Sequence, residues 1–242
     1  MKAAVVGASA GLGRALAERL AEAGHELVLV ARDSRDLEAV ACDLRIRFAT
    51  SVRWLEADLA VPDAAGLRAR IKDKLGRVDA LFLVAGLGDD TDHGPMEEAA
   101  LERVIAVNYT SPVAIANAFL PDLMDGSLSH LVGIGSVAAM RARSRNMVYG
   151  SAKRGLEFYF EALRHRLSAY PCRIQLYRVG FMDTSMLPGR GGPLAASPDS
   201  IARAILARLG GPGGVAYLPR WWRLVAILLG VTPWRLFIRF KG

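Results

Sequence analysis

The chain has 242 residues, the size of one α/β domain with a full hydrophobic core. Apolar residues make up 52% of it, yet no segment reaches the 18 or more apolar residues of a membrane-spanning helix. The formal net charge is +7, but residues 219–242 hold five of the 31 basic residues and no acidic one, which leaves 26 basic and 24 acidic residues elsewhere. The high overall charge therefore does not indicate a nucleic-acid-binding protein.

The N-terminus and the cysteines indicate the compartment. The first predicted strand starts directly after Met1 and Lys2, so we expect no signal peptide. Cys42 and Cys172 lack a paired spacing, and we expect both to be buried, reduced thiols. These features predict a cytoplasmic protein.

A glycine-rich turn follows the first predicted strand. The apolar run Ala3–Val6 leads through Gly7-Ala8-Ser9-Ala10-Gly11-Leu12-Gly13 into a predicted helix, Leu12–Ala23. Glycines let the backbone approach a pyrophosphate, and a helix N-terminus offers free N–H groups and a positive dipole end. A strand, a glycine turn and a helix in this order predict a dinucleotide-binding site, although a tight turn without a ligand has the same pattern.

The end of the second predicted strand, Glu26–Ala31, bears on the choice of cofactor. Ala31 stands where an acidic residue would bind the ribose of NAD, and Arg32 follows it. An acid there would repel the 2′-phosphate of NADP, whereas an arginine pairs with it. The pattern favours NADP(H), and Ser9 and Arg14 are further candidate contacts of this cofactor. NAD(H) use, with Arg32 as a surface residue at a strand end, is the alternative.

The middle of the chain alternates predicted helices and strands, with Asp33 as the expected N-cap of the first helix. In order they are helix 33–47, strand Val52–Leu55, helix Pro62–Leu75, strand Val78–Ala85 and helix Met96–Leu123. The apolar run of the second of these strands is typical of a central parallel strand buried on both faces. Asp89, Asp90, Asp92 and His93 follow it. We interpret this segment as a solvated loop rather than a metal site, because no second histidine stands nearby.

A proton-transfer site is predicted in the second half of the chain. Strand His130–Gly135 should place Ser136 at its carboxyl end, where active sites of such sheets lie. Tyr149 and Lys153 are four residues apart on a predicted helix, Met147–Tyr170, and hence share one face. A tyrosine has a pKa of about 10, and we expect the charge of Lys153 to lower the pKa of Tyr149. Together the three groups can hold a carbonyl oxygen and transfer a proton to it.

Two loops near this site are candidate substrate contacts. Residues 140–146 contain three arginines that either meet an anionic substrate or form a solvated basic loop, namely Arg141, Arg143 and Arg145. Residues 181–196 are rich in glycine and proline. We interpret this segment as a mobile substrate lid, with Met186 as a candidate substrate contact.

The last predicted elements are strand Arg173–Tyr177, helix Pro198–Leu209 and strand Val215–Leu218, which complete a domain of residues 1–218. Ser197 is the expected N-cap of this helix, with Pro198 at its first position. Residues 219–242 form an apolar and basic helical tail with three of the four tryptophans. Short apolar helices edged by tryptophan and arginine are suited to a membrane interface. The alternatives are packing on a neighbouring subunit, packing over the substrate pocket, or binding a partner protein.

The chain resembles the short-chain dehydrogenase/reductase family over about residues 1–217, through its glycine turn, the serine after the fifth strand and the Tyr-x-x-x-Lys pair. It departs from the family at residues 83–86, which read Leu-Val-Ala-Gly instead of Asn-Asn-Ala-Gly, and at Val179-Gly180, where the family has Pro-Gly. The run from Ser136 to Lys153 and the tail are also similar to a subgroup that contains the decaprenylphosphoryl ketoribose reductases. Those enzymes reduce a keto sugar carried on a polyprenyl phosphate.

The resemblance implies a doubly wound Rossmann fold, in which a parallel sheet of about seven strands has helices on both faces. It implies NADPH-dependent interconversion of a carbonyl and an alcohol, without a metal. The rival hypothesis is a non-catalytic NAD(P)-sensing protein on the same fold. The expected substrate is a small carbonyl compound or alcohol, or a lipid-linked sugar. A homodimer or homotetramer through the helices that bear Asn108 and Tyr149 is also implied.

The resemblance also implies site residues. Its catalytic set is Asn108, Ser136, Tyr149 and Lys153. Its cofactor-binding positions are Gly7, Ser9, Ala10, Gly11, Leu12, Gly13, Arg32, Asp58, Leu59, Ala85, Gly86, Tyr149, Lys153, Gly180 and Thr184. Among these, Asp58 matches the acid that holds the adenine, and Asn108 matches the asparagine that completes the active-site network.

Overall fold

The structure, a computed structural model, describes residues 1–61, 63–183 and 195–239. Seven parallel strands form one sheet, and helices cover both of its faces. The strands are β1 (Lys2–Val6), β2 (Glu26–Ala31), β3 (Val52–Glu56), β4 (Ala80–Leu83), β5 (His130–Ser136), β6 (Arg173–Val179) and β7 (Gly214–Leu218). The helices are α1 (Gly11–Glu22), α2 (Ser34–Phe48), α3 (Ala64–Leu75), α4 (Glu98–Ile105), α5 (Ser111–Ala118), α6 (Leu120–Met124), α7 (Met147–Arg166), α8 (Pro198–Ala207), α9 (Trp222–Val231) and α10 (Trp234–Phe237). The predicted doubly wound α/β fold is confirmed.

The sheet is buried on both faces, as the continuous apolar strands predict. In β1, Ala3 and Val5 pack into one apolar core, whereas Ala4 and Val6 pack into the other. The first core contains side chains of α1, α2 and α8, and the second contains side chains of α3, α5 and α7. Burying alternate residues in opposite layers explains why such strands carry apolar residues at every position.

The strand order locates the site. The order is β3-β2-β1-β4-β5-β6-β7, so the chain changes direction across the sheet between β1 and β4. In open α/β sheets, ligands bind at the carboxyl ends of the strands at such a switch point. Gly7 follows β1 and Ala85 follows β4 at this point, and the Ala85 N–H donates to the Val6 carbonyl at 3.0 Å.

Two predicted helix caps are confirmed. The Asp33 carboxylate accepts from the backbone N–H groups of Arg35 and Asp36 at the start of α2, at 2.9 and 3.3 Å. The Ser197 hydroxyl accepts from the Ser200 N–H at 3.2 Å at the start of α8. In both cases a short polar side chain satisfies N–H groups that have no partner within the helix.

The predicted long helix Met96–Leu123 is wrong as a single element. It divides into α4, a π-helical turn at Ala106–Thr110, α5 and α6. Pro112 lies in the first turn of α5, where its missing N–H and its ring interrupt regular helical hydrogen bonding. The helix predicted to reach Tyr170 ends at Arg166.

The prediction that both cysteines are buried is also wrong. Cys42 is exposed and Cys172 is partly buried. Cys42 lies on α2 beside the buried Ala41, on the side of the helix that turns away from the core. Neither cysteine forms a disulfide within the part of the chain that the structure describes.

Candidate active site

The glycine turn after β1 forms a cradle that side chains would fill. Gly7 has φ of +96°, and a Cβ atom there would lie 2.6 Å from the Ala85 Cα atom. A Cβ at Gly13 would overlap the Gly7 carbonyl oxygen, so α1 can pack this closely on the turn only with glycine. Ala10 is the N-cap of α1 and has no side chain that could bond the N–H groups at the helix start. A close backbone and free N–H groups fit the pyrophosphate of a dinucleotide.

Ser9 and Arg32 line one open depression beside this turn, together with Asp33, Ser34, Arg35, Asp36 and Glu56. Arg32 is exposed, and none of the ion pairs among the described residues involves it. Asp33 is engaged by α2 and by Arg35, whose guanidinium lies 3.4 Å from its carboxylate. Arg32 is therefore available to an anionic group in this depression.

Asp58 and Leu59 lie farther along the same edge of the sheet and line a separate cavity. The Asp58 carboxylate accepts from the Ala60 N–H at 2.9 Å and lies 3.9 Å from the Arg103 guanidinium. The Leu59 carbonyl accepts a hydrogen bond from the Ser111 hydroxyl. Asp58 remains partly exposed, with a polar side chain at the position where the adenine is expected.

Ser136 and Tyr149 come together at the carboxyl end of β5. The Ser136 hydroxyl accepts from the Ala138 N–H at 3.1 Å, which fixes the position of the oxygen. Tyr149 lies in the first turn of α7, and the Ser136 side chain is close enough to influence the pKa of its hydroxyl. The two hydroxyls can therefore contact the same oxygen of a bound substrate.

Lys153 is the buried cation of the site, with 2% of its surface exposed. Its Nζ donates to the Ile134 carbonyl at 3.1 Å and lies 3.5 Å from the Ala85 carbonyl oxygen. Burial lowers the pKa of Lys153 to about 8, and the negative charge of Glu157 opposes this shift. The ammonium thus lies between the ends of β4 and β5, beside the glycine cradle.

The prediction that Tyr149 has a lowered pKa is wrong for this structure. Burial raises the pKa of Tyr149, and the nearby Ser136 side chain only partly offsets the effect. The Lys153 Nζ lies 5.9 Å from the centre of the tyrosine ring and is held by backbone carbonyls. A raised pKa keeps the phenol protonated, which is the form that can donate a proton.

Asn108 lies in the π-helical turn and is fully buried. Its amide donates to the Val104 carbonyl at 2.9 Å and to the Leu87 carbonyl at 2.7 Å, and its oxygen accepts from the Leu87 N–H at 3.2 Å. These bonds tie the turn to the loop that follows β4. Single π-helical turns often mark functional sites, and in this one Asn108 is bonded to that loop.

Asp92 is a site residue that the sequence interpretation missed, because it was assigned to a solvated loop. Its side chain is buried and accepts from the backbone N–H groups of Val148 and Tyr149, both at 2.8 Å. The Asp92 carbonyl accepts from the Asn146 N–H at 2.6 Å. Asn146 offers no side-chain cap of its own. A residue 56 positions before Val148 thus caps the helix that carries Tyr149.

We expect Asp92→Ala to destabilise the protein by about 2 kcal/mol, because two N–H groups lose their buried acceptor. The start of α7 should then fray, and kcat should fall because Tyr149 is no longer held in place. Thermal unfolding and turnover of the variant test this. His93→Ala, at an exposed neighbour in the same loop, is the matched control, and equal stability of the two variants would contradict the capping role.

The arginine loop divides between two surroundings. The Arg141 guanidinium donates to the Leu229 carbonyl, lies 3.4 Å from the Gly230 carbonyl oxygen, and stacks 4.2 Å from the centre of the Phe237 ring. Arg141 thus contacts the C-terminal tail. Because its guanidinium is bonded to backbone carbonyls of the tail, it is not free to bind an anionic substrate. Arg143 is partly buried and Arg145 is exposed.

Gly180 lies at the end of β6, next to Val179, which pairs with Ser136 in the sheet. A Cβ atom at Gly180 would overlap the indole of Trp222, so the tail packs directly on this position.

Gly86 follows Ala85 at the switch point. Two further predicted site residues, Thr184 and Met186, and most of the predicted lid lie outside the described residues.

The comparisons with known proteins identify the family of the chain. Residues 1–191 match the family model of the short chain dehydrogenases. An uncharacterised oxidoreductase of Mycobacterium tuberculosis is 29% identical over 236 residues, which cover 96% of this chain and 94% of the relative. The 1-deoxy-11-beta-hydroxypentalenate dehydrogenase of Streptomyces exfoliatus is 31% identical over 207 residues, which cover 84% of this chain and 74% of that protein.

A solved structure of a relative is also similar in fold. The short-chain dehydrogenase from Sphingobium yanoikuyae, determined in complex with NADPH, is 28% identical with a TM-score of 0.84, and the match covers 95% of this chain and 94% of that one. Family model, relatives and architecture therefore agree on the family of the chain. The chain belongs to the short-chain dehydrogenase family and is an oxidoreductase that uses a nicotinamide cofactor on an alcohol or carbonyl group.

Proposed function

We propose that the protein interconverts a carbonyl and an alcohol with NADPH as the preferred reductant, at the carboxyl edge of β1, β4 and β5. The observation that carries the proposal is the placement of Ser136 and Tyr149 beside the buried ammonium of Lys153, whose Nζ lies 5.9 Å from the centre of the Tyr149 ring. A non-catalytic NAD(P)-sensing protein needs no proton donor, so this cluster disfavours that alternative. We further propose that residues 1–218 form the catalytic domain and residues 219–242 a tail.

The cofactor would lie along the carboxyl edge of the sheet. The glycine cradle and the free start of α1 fit the pyrophosphate, Asp58 and Leu59 fit the adenine end, and Lys153 fits the nicotinamide ribose. The other implied cofactor positions are Ser9, Ala10, Leu12, Ala85, Gly86, Gly180 and Thr184. When bound, the nicotinamide supplies the hydride that reduces the carbonyl carbon.

The chain's own residues then handle the substrate oxygen. Ser136, fixed by the Ala138 N–H, donates a hydrogen bond to this oxygen and orients the carbonyl. Tyr149 stays protonated through burial and delivers its proton as the oxygen gains charge. The ammonium of Lys153 stabilises the phenolate that remains. Asn108 holds the π-helical turn and the loop after β4 in place for proton relay.

We expect Arg32→Ala to weaken NADPH binding by about 10- to 100-fold while changing NADH binding little, because only NADPH carries the 2′-phosphate. Arg35→Ala, at the neighbouring exposed arginine of the same depression, is the matched control. Fluorescence titration of both cofactors against the three proteins measures the effect. Equal affinity of the wild type for NADPH and NADH would contradict the preference, and tighter binding of NADH would favour NAD(H) as the cofactor.

The substrate proposal is a carbonyl compound or alcohol that is apolar or lipid-linked, such as a sugar on a lipid carrier. The apolar tail beside Gly180 supports it, and Arg143, Arg145 and Met186 remain proposed substrate contacts. The cytosolic face of a membrane is then the proposed place of action. A panel of small and long-chain ketones, read out by oxidation of NADPH, tests this proposal, which a preference for small polar ketones would contradict.

We also propose a homodimer or homotetramer. Large apolar side chains are exposed on the elements that bear Asn108 and Tyr149, including Tyr109 in the π-helical turn and Met147 and Phe158 on α7. Phe158 is 75% exposed, and pairing of this face between subunits would bury it. Light scattering measures the oligomeric state, and a monomer would contradict this arrangement.

A further inference from the structure

The C-terminal tail has two apolar faces, of which one is packed. On α9, Trp222, Val225, Ala226 and Leu229 recur with helical spacing and are buried or partly buried. The opposite stripe, at the same spacing, consists of Leu224, Ile227, Leu228 and Val231, which are 53–72% exposed. A helix that is apolar all round is normally buried all round, so the outer stripe lacks a partner.

α10 also exposes apolar side chains. Phe237 is buried, whereas Trp234, Leu236 and Ile238 are 50–62% exposed. Both short helices therefore carry exposed apolar side chains, and these seven residues are defined here as the outer face of the tail. Among the described residues, no helix has the length and apolar character needed to cross a membrane.

The charge around the outer face has a single sign. Arg220, Arg223, Arg235 and Arg239 are exposed and take part in none of the ion pairs found among the described residues. No acidic residue follows Asp199 in the sequence. In a symmetric contact with a second copy, these arginines would face like charges. An anionic lipid surface offers both apolar contact and opposite charge.

The inner face of the tail is fixed to both borders of the active site. Trp222 packs on Gly180 and lies edge-on to Phe181, with 5.4 Å between the ring centres. Arg141, on the loop between Ser136 and Tyr149, holds the carboxyl end of α9 through the Leu229 and Gly230 carbonyls. A guanidinium on these carbonyls is also favoured by the helix dipole. The tail therefore has a fixed orientation relative to the catalytic groups.

We propose that the outer face of the tail docks on an anionic lipid bilayer, and that Arg141 and Trp222 hold the tail so that the active-site edge opens beside that bilayer. This rests on the proposed function in one respect, namely that the substrate is apolar or lipid-linked. The helices lie in the plane of the interface, with the outer stripe among the acyl chains and the arginines at the headgroups.

The first test measures binding to vesicles without any turnover, so its outcome is independent of the proposed reaction. The full-length protein should co-sediment with phosphatidylcholine vesicles that contain 30% phosphatidylglycerol and much less with phosphatidylcholine alone, and high salt should weaken binding. Leu224→Ser with Leu228→Ser should lower the partition coefficient at least about tenfold. Arg235→Gln should lower it about fivefold. The matched controls, Ile46→Ser and Arg166→Gln, alter equally exposed residues away from the tail.

The second test measures the attachment of the tail by hydrogen exchange. Arg141→Met should raise the exchange rates of the backbone amides of residues 222–237 at least about tenfold, because Arg141 holds the end of α9. Arg143→Met, on the same loop, should leave these rates unchanged. Unchanged rates in the Arg141 variant would overturn the attachment part of the proposal.

Three outcomes of the vesicle test would overturn the docking surface. The protein could ignore anionic vesicles at low salt, bind neutral and anionic vesicles equally, or bind vesicles unchanged after the Leu224 and Leu228 substitutions. A lower mass of this double variant in light scattering, together with no vesicle binding by the wild type, would instead assign the outer face to a second copy of the chain. If vesicles bind as expected and no ketone is reduced, the docking surface stands and the proposed reaction fails.

Discussion

Tyr149→Phe should lower kcat for carbonyl reduction by about 100- to 10,000-fold, the usual contribution of a general acid. The variant keeps the ring in the first turn of α7 but removes the proton and the hydroxyl that lies near Ser136. Because the backbone N–H of residue 149 still donates to Asp92, the helix start should stay in place. NADPH affinity should therefore change little.

The matched control is Tyr159→Phe, which removes a hydroxyl from the same helix at a partly buried position away from the site. Steady-state kinetics and a cofactor titration on both variants separate catalysis from binding. Wild-type turnover in Tyr149→Phe would show that another group supplies the proton. A loss of turnover in both variants would indicate a general defect of α7.

The second large effect is the dependence of reduction on Lys153 and on pH. Burial lowers the pKa of Lys153 to about 8, so the side chain is charged below that pH and neutral above it. Burial raises the pKa of Tyr149, so the phenol keeps its proton in this range. The value of kcat/KM for reduction should thus be highest below about pH 8 and fall as the pH rises and the ammonium is lost.

Lys153→Met should lower kcat/KM at every pH by about 100-fold or more, because the phenolate left after proton transfer loses its counter-charge. Lys153→Arg should remove the decline near pH 8, since arginine keeps its charge. Lys74→Arg, at an exposed lysine on α3, is the control and should keep that decline. A decline near pH 8 that persists in Lys153→Arg would assign it to a different group.

The site geometry predicts that proton donation and cofactor binding are coupled. Lys153 is held by carbonyls at the ends of β4 and β5, and Ala85, one of these carbonyl residues, also borders the glycine cradle. A shift of the loop after β4 therefore changes both the cofactor site and the ammonium. Asn108 bonds that loop at Leu87, which explains why a buried amide without direct access to solvent belongs to the site.

The sequence by itself determined the elements whose signals are local. Each of these signals is contained in a few consecutive residues, so it can be recognised from spacing and from the periods of strands and helices. They are the glycine turn, the apolar strands, the Asp33 and Ser197 caps and the Tyr149–Lys153 spacing. The family resemblance then implied a doubly wound sheet, and the predicted strand His130–Gly135 placed Ser136 at its carboxyl edge. The sheet and the meeting of Ser136, Tyr149 and Lys153 agree with those predictions.

Only the tertiary structure decided which distant groups meet. Asp92 contacts the start of α7 across 56 positions, and Arg141 contacts the end of α9 across 88 positions. No local pattern distinguishes a buried capping aspartate from a solvated one, or a tail-binding arginine from a substrate-binding one. The pKa of Tyr149 also depends on burial and on where the Lys153 ammonium is held. Spacing along a helix sets proximity, whereas desolvation and competing carbonyls are set by the packed fold.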